Sequence, residues 1–500
     1  MRRWLEPGAL LLGLGIFIAI ACAIAQSRLL WYDEIFTRQV LEQGSWSRIM
    51  AALRRGLDLQ PPLFFLVTGW TRPLGGDEIG LRIPAMLGFA AAGFSLYLIA
   101  RRWFSQGYAV AALLAPCILW FNPLAVEARP YGLELGCAGL ALLGWTYRDR
   151  QPFAKTIYLL GVLGAALIHY YGFLVAVPFG AAAAWTLMRR RRWDVWTIAG
   201  CVGAFLPDLW NYSLIRSGIA FYKQGAWNAP SGSKLLFSSY GWAVAALGAV
   251  FVASRWFAPP EKTQPQGNPS GEDLVCWAAF CAVPVVALGV AKVVSGMIAP
   301  RYVSMYSLGY GLLFVFLLAR CANGARSLGY AAAGAASIAF LILAGSELQT
   351  AGRQRAEVLS NCASFADLLD RSAYRQSTLL IGDWTIAMQA AFYCPAIRDR
   401  MVFPADPERS LRYLGNDTAH KGLLHLRGSF PLHVEPLEEL VHRSRHELLV
   451  FEVGQSFLKR YFTDEAEFAG RVHLLDEGAT FSVYAVDPAP ASAAARREMP

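Results

Sequence analysis

Charge is scarce in this 500-residue chain: Asp, Glu, Lys and Arg make up 16% of it, hydrophobic residues make up 55%, and the mean hydropathy is +0.36. Soluble domains have about a quarter of their residues charged, so an ordinary soluble globular protein is excluded and a membrane protein is expected. The nine cysteines include no CxxC pair and no metal-ligand spacing, which argues against a zinc or dithiol motif. No internal repeat divides the chain into similar halves. The 45 Lys and Arg outnumber the 36 Asp and Glu to give a net charge of +9. These basic residues punctuate apolar runs instead of gathering on one soluble face. They read as membrane-flanking charge, and no nucleic-acid partner is expected.

A membrane helix needs about 20 mostly apolar residues, and Lys and Arg favour its cytoplasmic end. With Arg2 and Arg3 inside, the first span covers 8–25. No small-residue cleavage site precedes Ser27-Arg28, so this run reads as a retained signal anchor. A first outer loop, 26–81, follows, and span two (82–100) ends inside at Arg101-Arg102. Further spans fall at 107–122, 130–147, 155–169, 171–188, 194–211, 235–254, 274–294, 303–319 and 327–345. Nearly every basic cluster, including Arg189-Arg190-Arg191-Arg192, then lies inside; Arg54-Arg55 is the exception. The apolar stretch Pro61 to Gly75 is short and carries Pro61, Pro62 and Pro73. It reads as a helix lying in the outer interface. The fold class expected is an α-helical polytopic membrane protein of about eleven spans.

From 346 the character changes. Residues 378–382, 447–451 and 480–484 read as short strands, with helical stretches at 384–393 and 435–444. The expected organisation is a transmembrane domain over 1–345, an outer α/β domain over 346–487 and a disordered Ala- and Pro-rich tail over 488–500. Of the cysteines, only Cys362 and Cys394 lie in this polar region, and they can pair if it is outside the cytoplasm. The Pro-, Gly- and Gln-rich stretch 258–273 has a linker's composition.

With this topology Asp33, Glu34, Asp58, Glu127, Arg129, His169 and Arg301 all fall at outer ends of spans or in outer loops. Carboxylates at a membrane surface need a partner, a metal or a proton to handle. A carboxylate can take a proton from an attacking hydroxyl. Arg and His can neutralise a phosphate leaving group, and paired carboxylates can hold a divalent metal. Each residue alone has a plainer reading: helix-starting acid, N-cap, ion pair at the bilayer edge, interfacial belt or snorkelling cation. Their order along the chain carries the argument.

That order resembles the GT-C integral-membrane glycosyltransferases over roughly residues 8–320. The acidic pair follows the first span; Asp58-Leu59-Gln60-Pro61-Pro62-Leu63-Phe64-Phe65 and Gly75-Gly76-Asp77-Glu78-Ile79-Gly80-Leu81-Arg82-Ile83-Pro84 come next. Glu127-Ala128-Arg129-Pro130-Tyr131, His169-Tyr170-Tyr171 and Pro300-Arg301-Tyr302 continue the likeness. The branch it most resembles holds bacterial relatives of the protein mannosyltransferases, including aminoarabinose and rhizobial lipopolysaccharide sugar transferases. The resemblance implies a polyprenyl-phosphate-sugar donor and an envelope glycan, lipid or protein acceptor, with transfer on the periplasmic face of a bacterial inner membrane. It implies that Asp33 is the catalytic base, with Glu34 supporting it. Arg129, His169 and Arg301 are the donor-phosphate candidates, and Asp58, Gln60, Glu127, Tyr131, Tyr170 and Tyr302 position the acceptor or the loop. No cofactor is firmly implied. A divalent ion on Asp33 and Glu127 is the one candidate, and here Glu127 is followed by Ala-Arg-Pro-Tyr, which departs from the family's metal-linked pattern.

Two other classes compete. A transporter or flippase for lipid-linked sugars would place charges at midplane depth and show repeated halves, and neither is evident. A non-catalytic membrane scaffold would tolerate replacement of Asp33.

Overall fold

The computed structural model describes residues 2–120, 124–222, 231–233, 235–241, 248, 267–478 and 481–488. Helix α1 (Arg2–Ser27) leads into a first connecting region built from α2 (Tyr32–Leu41), α3 (Trp46–Arg54), α4 (Pro62–Thr71) and the short α5 (Gly76–Gly80). Then come α6 (Ile83–Arg101), α7 (Gln106–Trp120), α8 (Tyr131–Tyr147), α9 (Ala154–Ile168), α10 (Ala176–Arg190), α11 (Val195–Gly203), α12 (Leu206–Trp210) and α13 (Tyr212–Tyr222). Helices α14 (Gly271–Val290), α15 (Tyr306–Cys321) and α16 (Arg326–Asp370) complete the helical part. Among the described residues five helical segments are long and apolar enough to cross a membrane, and four shorter apolar helices accompany them. Every expected span outside 235–254 coincides with a helix or a helix pair; most of that span, most of the 258–273 stretch and the tail beyond Pro488 lie outside the described residues. The chain is a helical polytopic membrane protein carrying a C-terminal α/β domain.

The sequence explains the helix ends and contacts. Helix α14 starts in a capping box, Ser270 Oγ accepting the Asp273 N–H at 3.1 Å while the Asp273 carboxylate accepts the Ser270 N–H at 2.9 Å. Helices α6, α8 and α9 pack where glycine removes the side chain. A Cβ on Gly136 would lie 2.5 Å from Gly88 Cα, and one on Gly161 would lie 2.5 Å from Ala141 N. Small residues at such crossings let backbones approach, which drives helix association in lipid.

Helix α4 has ten residues, about half the length a crossing requires. Its Phe64 and Phe65 are buried in the same apolar cluster as Leu30 and Ile35 of that connecting region and Phe365, Leu379 and Phe403 of the C-terminal region. Helix α16 has 45 residues and is about 68 Å long at 1.5 Å per residue, far more than the roughly 30 Å hydrocarbon core. It runs unbroken past 345 and delivers the chain to a six-stranded sheet of order β3-β2-β1-β4-β6-β5. The strands are β1 (Thr378–Ile381), β2 (Met401–Ala405), β3 (His433–Pro436), β4 (Leu448–Val453), β5 (Val472–Glu477) and β6 (Phe481–Val486). Strands β1 to β4 run parallel, and the β5–β6 hairpin pairs antiparallel against β4. A disulfide joins Cys362 on α16 to Cys394 at the end of α17 (Trp384–Tyr393).

Candidate active site

Helix α2 begins at Tyr32, so Asp33 and Glu34 both stand in its first turn, where the helix dipole favours carboxylates. Successive residues on a helix diverge by about 100°, and these two acids face different surroundings. Glu34 is fully buried. Its two oxygens accept from Arg82 Nε at 2.7 Å and Nη2 at 2.6 Å, and also from the N–H groups of Ala128 (2.7 Å) and Trp31 (3.2 Å). Burial opposes its charge, but Arg82 outweighs that and holds the carboxyl below the ordinary Glu value. Arg82 also donates from Nη1 to the carbonyls of Ala25 (2.6 Å) and Arg28 (2.8 Å), and from Nη2 to that of Leu29 (3.2 Å). One guanidinium thus joins the end of α1, the first turn of α2 and the start of α6.

Asp33 remains partly accessible, and its Oδ2 accepts from Arg301 Nη2 at 2.8 Å. Arg129 Nε lies 4.0 Å from the same oxygen, and Arg129 Nη1 donates to the Asp33 backbone carbonyl at 3.1 Å. The remaining reach of Arg129 goes to Asp58, Nη1 to Oδ2 at 2.6 Å and Nη2 to Oδ1 at 3.3 Å. Burial works against the Arg129 charge, yet Asp58 and Asp33 outweigh it and raise its pKa well above the guanidinium norm. Asp58 is therefore turned toward Arg129, while the first turn of α4 is led by Pro61, which offers no side-chain cap.

Arg301 comes from the 3-10 turn Pro300–Val303, and its guanidinium stacks over Trp31 (5.2 Å) and Tyr131 (5.3 Å). Tyr131 in turn lies against Tyr302 at 5.7 Å and edge-on to His169 at 5.2 Å. His169 Nδ1 is 3.0 Å from the buried carboxylate of Glu134 on α8. Tyr170 opens the 3-10 turn that follows His169. The Nε1 of Trp31, the hydroxyl of Tyr131, Oε1 of Gln60 and Oε2 of Glu127 are buried and make no hydrogen bond among the described residues. Buried polar atoms are nearly always satisfied, so unsatisfied ones on Trp31 and Tyr131, both against Arg301, mark a place where a polar ligand fits.

Glu127 is held by Arg28 Nη2 at 3.3 Å, and Arg28 also reaches Glu347 of α16 at 3.7 Å. Burial pushes the Glu127 carboxyl up to about 7, against the pull of Arg28. The two carboxylates a divalent ion would require, Asp33 and Glu127, are thus each already engaged by a guanidinium. No group of three or more His, Cys, Asp and Glu gathers in metal-ligand fashion among the described residues.

The structure therefore brings Asp33, Asp58, Arg129 and Arg301 together directly and sets Tyr131 against Arg301, with Tyr302 and His169 packed on Tyr131; Gln60, Glu127 and Tyr170 lie outside these direct contacts. Sequence reasoning missed Arg82, Arg28 and Glu134 as parts of the site. Arg82 had a signal: it opens the apolar run 82–100 at the end opposite the Arg101-Arg102 pair, against the charge rule that placed most basic clusters at the cytoplasmic ends of the expected spans.

The architecture is an ArnT-like fold of the GT-C type. The chain resembles ArnT from Cupriavidus metallidurans in the apo state at 13% identity and a TM-score of 0.57, covering 96% of this chain and 98% of that one. ArnT from the same organism bound to undecaprenyl phosphate is similar at 14% identity and a TM-score of 0.50, with coverage again of 96% and 98%. No protein-family model matches the chain, and no curated protein matches its sequence.

Proposed function

We propose that this protein is a membrane glycosyltransferase that moves a sugar from a polyprenyl-phosphate donor to an acceptor hydroxyl on the periplasmic face of a bacterial inner membrane. The acceptor is an envelope glycan, lipopolysaccharide or protein. In this reading residues 1–345 form the catalytic membrane domain and 346–487 the outer domain. One observation carries it: Asp33, a partly accessible carboxylate at the outer end of the bundle, faces two guanidinium groups, Arg301 at 2.8 Å and Arg129 at 4.0 Å. The ArnT likeness supports the same reading, since one of those proteins holds undecaprenyl phosphate.

The chemistry follows from that pairing. Asp33 takes the acceptor hydroxyl proton while the hydroxyl oxygen bonds to the anomeric carbon. The bond from that carbon to the phosphate oxygen breaks, and its electron pair leaves with the polyprenyl phosphate. A single displacement of this kind inverts the anomeric centre. The leaving phosphate gathers charge, which Arg301 and Arg129 neutralise without a metal. Glu34, enclosed by Arg82 and two backbone N–H groups, supports the base by holding the turn that carries it. The charges sit at the outer ends of helices instead of at midplane depth, which favours transfer over transport.

The test compares a deletion strain carrying wild-type protein with one carrying Asp33→Asn at matched expression, by mass spectrometry of lipid-linked sugars and envelope glycans. A general base contributes about 10²–10⁴-fold, so the variant should lose one sugar from a glycan and accumulate a polyprenyl-phosphate monosaccharide. A wild-type glycan pattern with Asp33→Asn would remove the transferase reading.

A further inference from the structure

The segment between α1 and α2, residues Arg28 to Trp31, sets where Asp33 stands. From the membrane side Arg82 holds it through the carbonyls of Arg28 and Leu29, at 2.8 and 3.2 Å. From the other side it is held by the outer domain. The Leu30 N–H donates to the Tyr393 hydroxyl at 2.8 Å, and Gln389 Nε2 donates to the Leu30 carbonyl at 3.3 Å. Leu30 is fully buried, so both of its backbone groups find their partners on α17, more than 350 positions further along the chain. The next contact is aromatic: the Tyr32 ring lies 4.1 Å from that of Trp384, also on α17. Arg38 stacks on Phe392 at 4.6 Å, and Phe36 meets Phe430 edge-on at 4.8 Å. The grip therefore covers the residues before Asp33 and about one and a half turns of helix after it.

Helix α17 is itself anchored. Its first turn is capped by Asp383, whose Oδ1 accepts the N–H groups of Thr385 (2.8 Å) and Ile386 (3.3 Å). Its last turn ends at Tyr393, and the next residue, Cys394, is bonded to Cys362 on α16. The outer domain is thus locked to a helix that starts in the membrane, and its α17 presents a phenol and an amide to the backbone three residues ahead of Asp33.

We infer that Tyr393 and Gln389 are positioning residues for the transfer reaction, so that the outer α/β domain sets the placement of Asp33 against the acceptor hydroxyl. The inference rests on the transferase reading above. Its consequence is a split between binding and turnover. Arg301 and Arg129 are carried by elements that α17 does not hold and touch the held segment through side-chain contacts at Trp31 and Asp33, so undecaprenyl-phosphate affinity should respond far less to Tyr393 than turnover does. Proton transfer at Asp33 responds directly, because a displacement of about 1 Å at a reacting group costs on the order of 10²-fold in rate.

The experiment uses full-length protein with Tyr393→Phe, which keeps the ring and removes only the hydroxyl, and Gln389→Ala. Three quantities are read: the dissociation constant for undecaprenyl phosphate, the ratio of glycosylated product to lipid-linked precursor in the deletion strain, and hydrogen exchange of the 28–34 peptide. The expected result for Tyr393→Phe is an affinity within about twofold of wild type, a product ratio lowered tenfold or more, and faster exchange at 28–34. Gln389→Ala should act in the same direction and more weakly, since its bond is longer. A wild-type product ratio for both variants, beside an inactive Asp33→Asn, overturns the positioning role and leaves the transferase reading standing. A product ratio that falls only in step with undecaprenyl-phosphate affinity also overturns it, showing general damage instead of misplacement. An Asp33→Asn protein with wild-type glycans ends both readings together.

Discussion

Removing Arg82 is the sharpest test of how the site is built. The side chain is 0% exposed and so is its partner Glu34. Arg82→Ala deletes two charged hydrogen bonds to Glu34 (2.7 and 2.6 Å) and three to the carbonyls of Ala25, Arg28 and Leu29 (2.6, 2.8 and 3.2 Å). Bonds to charged groups are worth about 1.5–3 kcal/mol each, but they share one side chain and do not add. The governing quantity is the buried carboxylate left without its cation, which costs about 3–5 kcal/mol. At roughly 2 °C per kcal/mol for a large chain, the apparent melting temperature of purified protein should fall by about 6–10 °C. Arg82→Lys keeps the charge but not the planar fork, so it should recover only part of the loss. The double variant Arg82→Met with Glu34→Met should cost clearly less than the two single changes together, because it strands no charge. Glu34 also sets a pH signature. Its native pKa lies below the ordinary 4.5, so its contribution is complete above that value and is lost as pH falls through the depressed one. Arg82→Ala should flatten this acid limb. Melting of Arg82→Ala within about 2 °C of wild type, or costs that simply add in the double variant, would refute the reasoning.

Arg301→Ala should weaken undecaprenyl-phosphate binding tenfold or more, with Arg301→Lys restoring part of it, as titration of purified protein would show. His420 in the outer domain accepts the Asp406 N–H on Nδ1 at 3.1 Å, and burial lowers its pKa from 6.5 to about 4. Its folded value being the lower one, stability is full above pH 6.5 and falls by up to about 3 kcal/mol toward pH 4. Acid unfolding followed in wild type and His420→Gln measures this, and identical curves would count against it. Replacing Cys362 and Cys394 by Ser opens a link across 32 positions, for which chain entropy gives about 3–4 kcal/mol. The outer domain of that double variant should therefore melt earlier than wild type in a thermal scan.

The membrane spans were legible because two signals agreed, apolar length and basic punctuation, and neither depends on what the helices pack against. Strands β1, β4 and β6 were legible for a similar reason, as β-branched and aromatic runs bounded by turns. Strand β2 carries Pro404, which normally argues against a strand, and β3 has four residues; pairing with neighbours decides both. Strand β5, with His473, Asp476 and Glu477, alternates too weakly to read. In the site, the sequence could offer residue types but not partners. Glu34 meets Arg82 across 48 positions and Asp58 meets Arg129 across 71, and nothing local distinguishes those pairings from Glu34 with Arg28 or Asp58 with Arg301. Leu30 meeting Tyr393 across 363 positions was beyond any pattern in the chain, because the sequence shows an outer domain without showing which face it turns to the membrane.

Among these pairings a gradient in burial separates support from chemistry. The Glu34 and Arg82 side chains are 0% and 0% exposed, Asp58 and Arg129 4% and 6%, Asp33 and Arg301 16% and 17%. A fully enclosed ion pair cannot exchange partners without leaving a charge stranded in low dielectric. A pair open to solvent can: water or a ligand takes up each charge as the other departs. Of the three pairs, Asp33 and Arg301 can therefore separate at least cost, as the proposed transfer requires when a phosphate takes the guanidinium and a hydroxyl meets the carboxylate. The two enclosed pairs have the complementary task, since their rigidity holds the mobile pair in register. Arg129 belongs to both groups, fixed to Asp58 on one side and 4.0 Å from Asp33 on the other. In the proposed transfer it would keep a positive charge beside Asp33 once Arg301 turned to the phosphate.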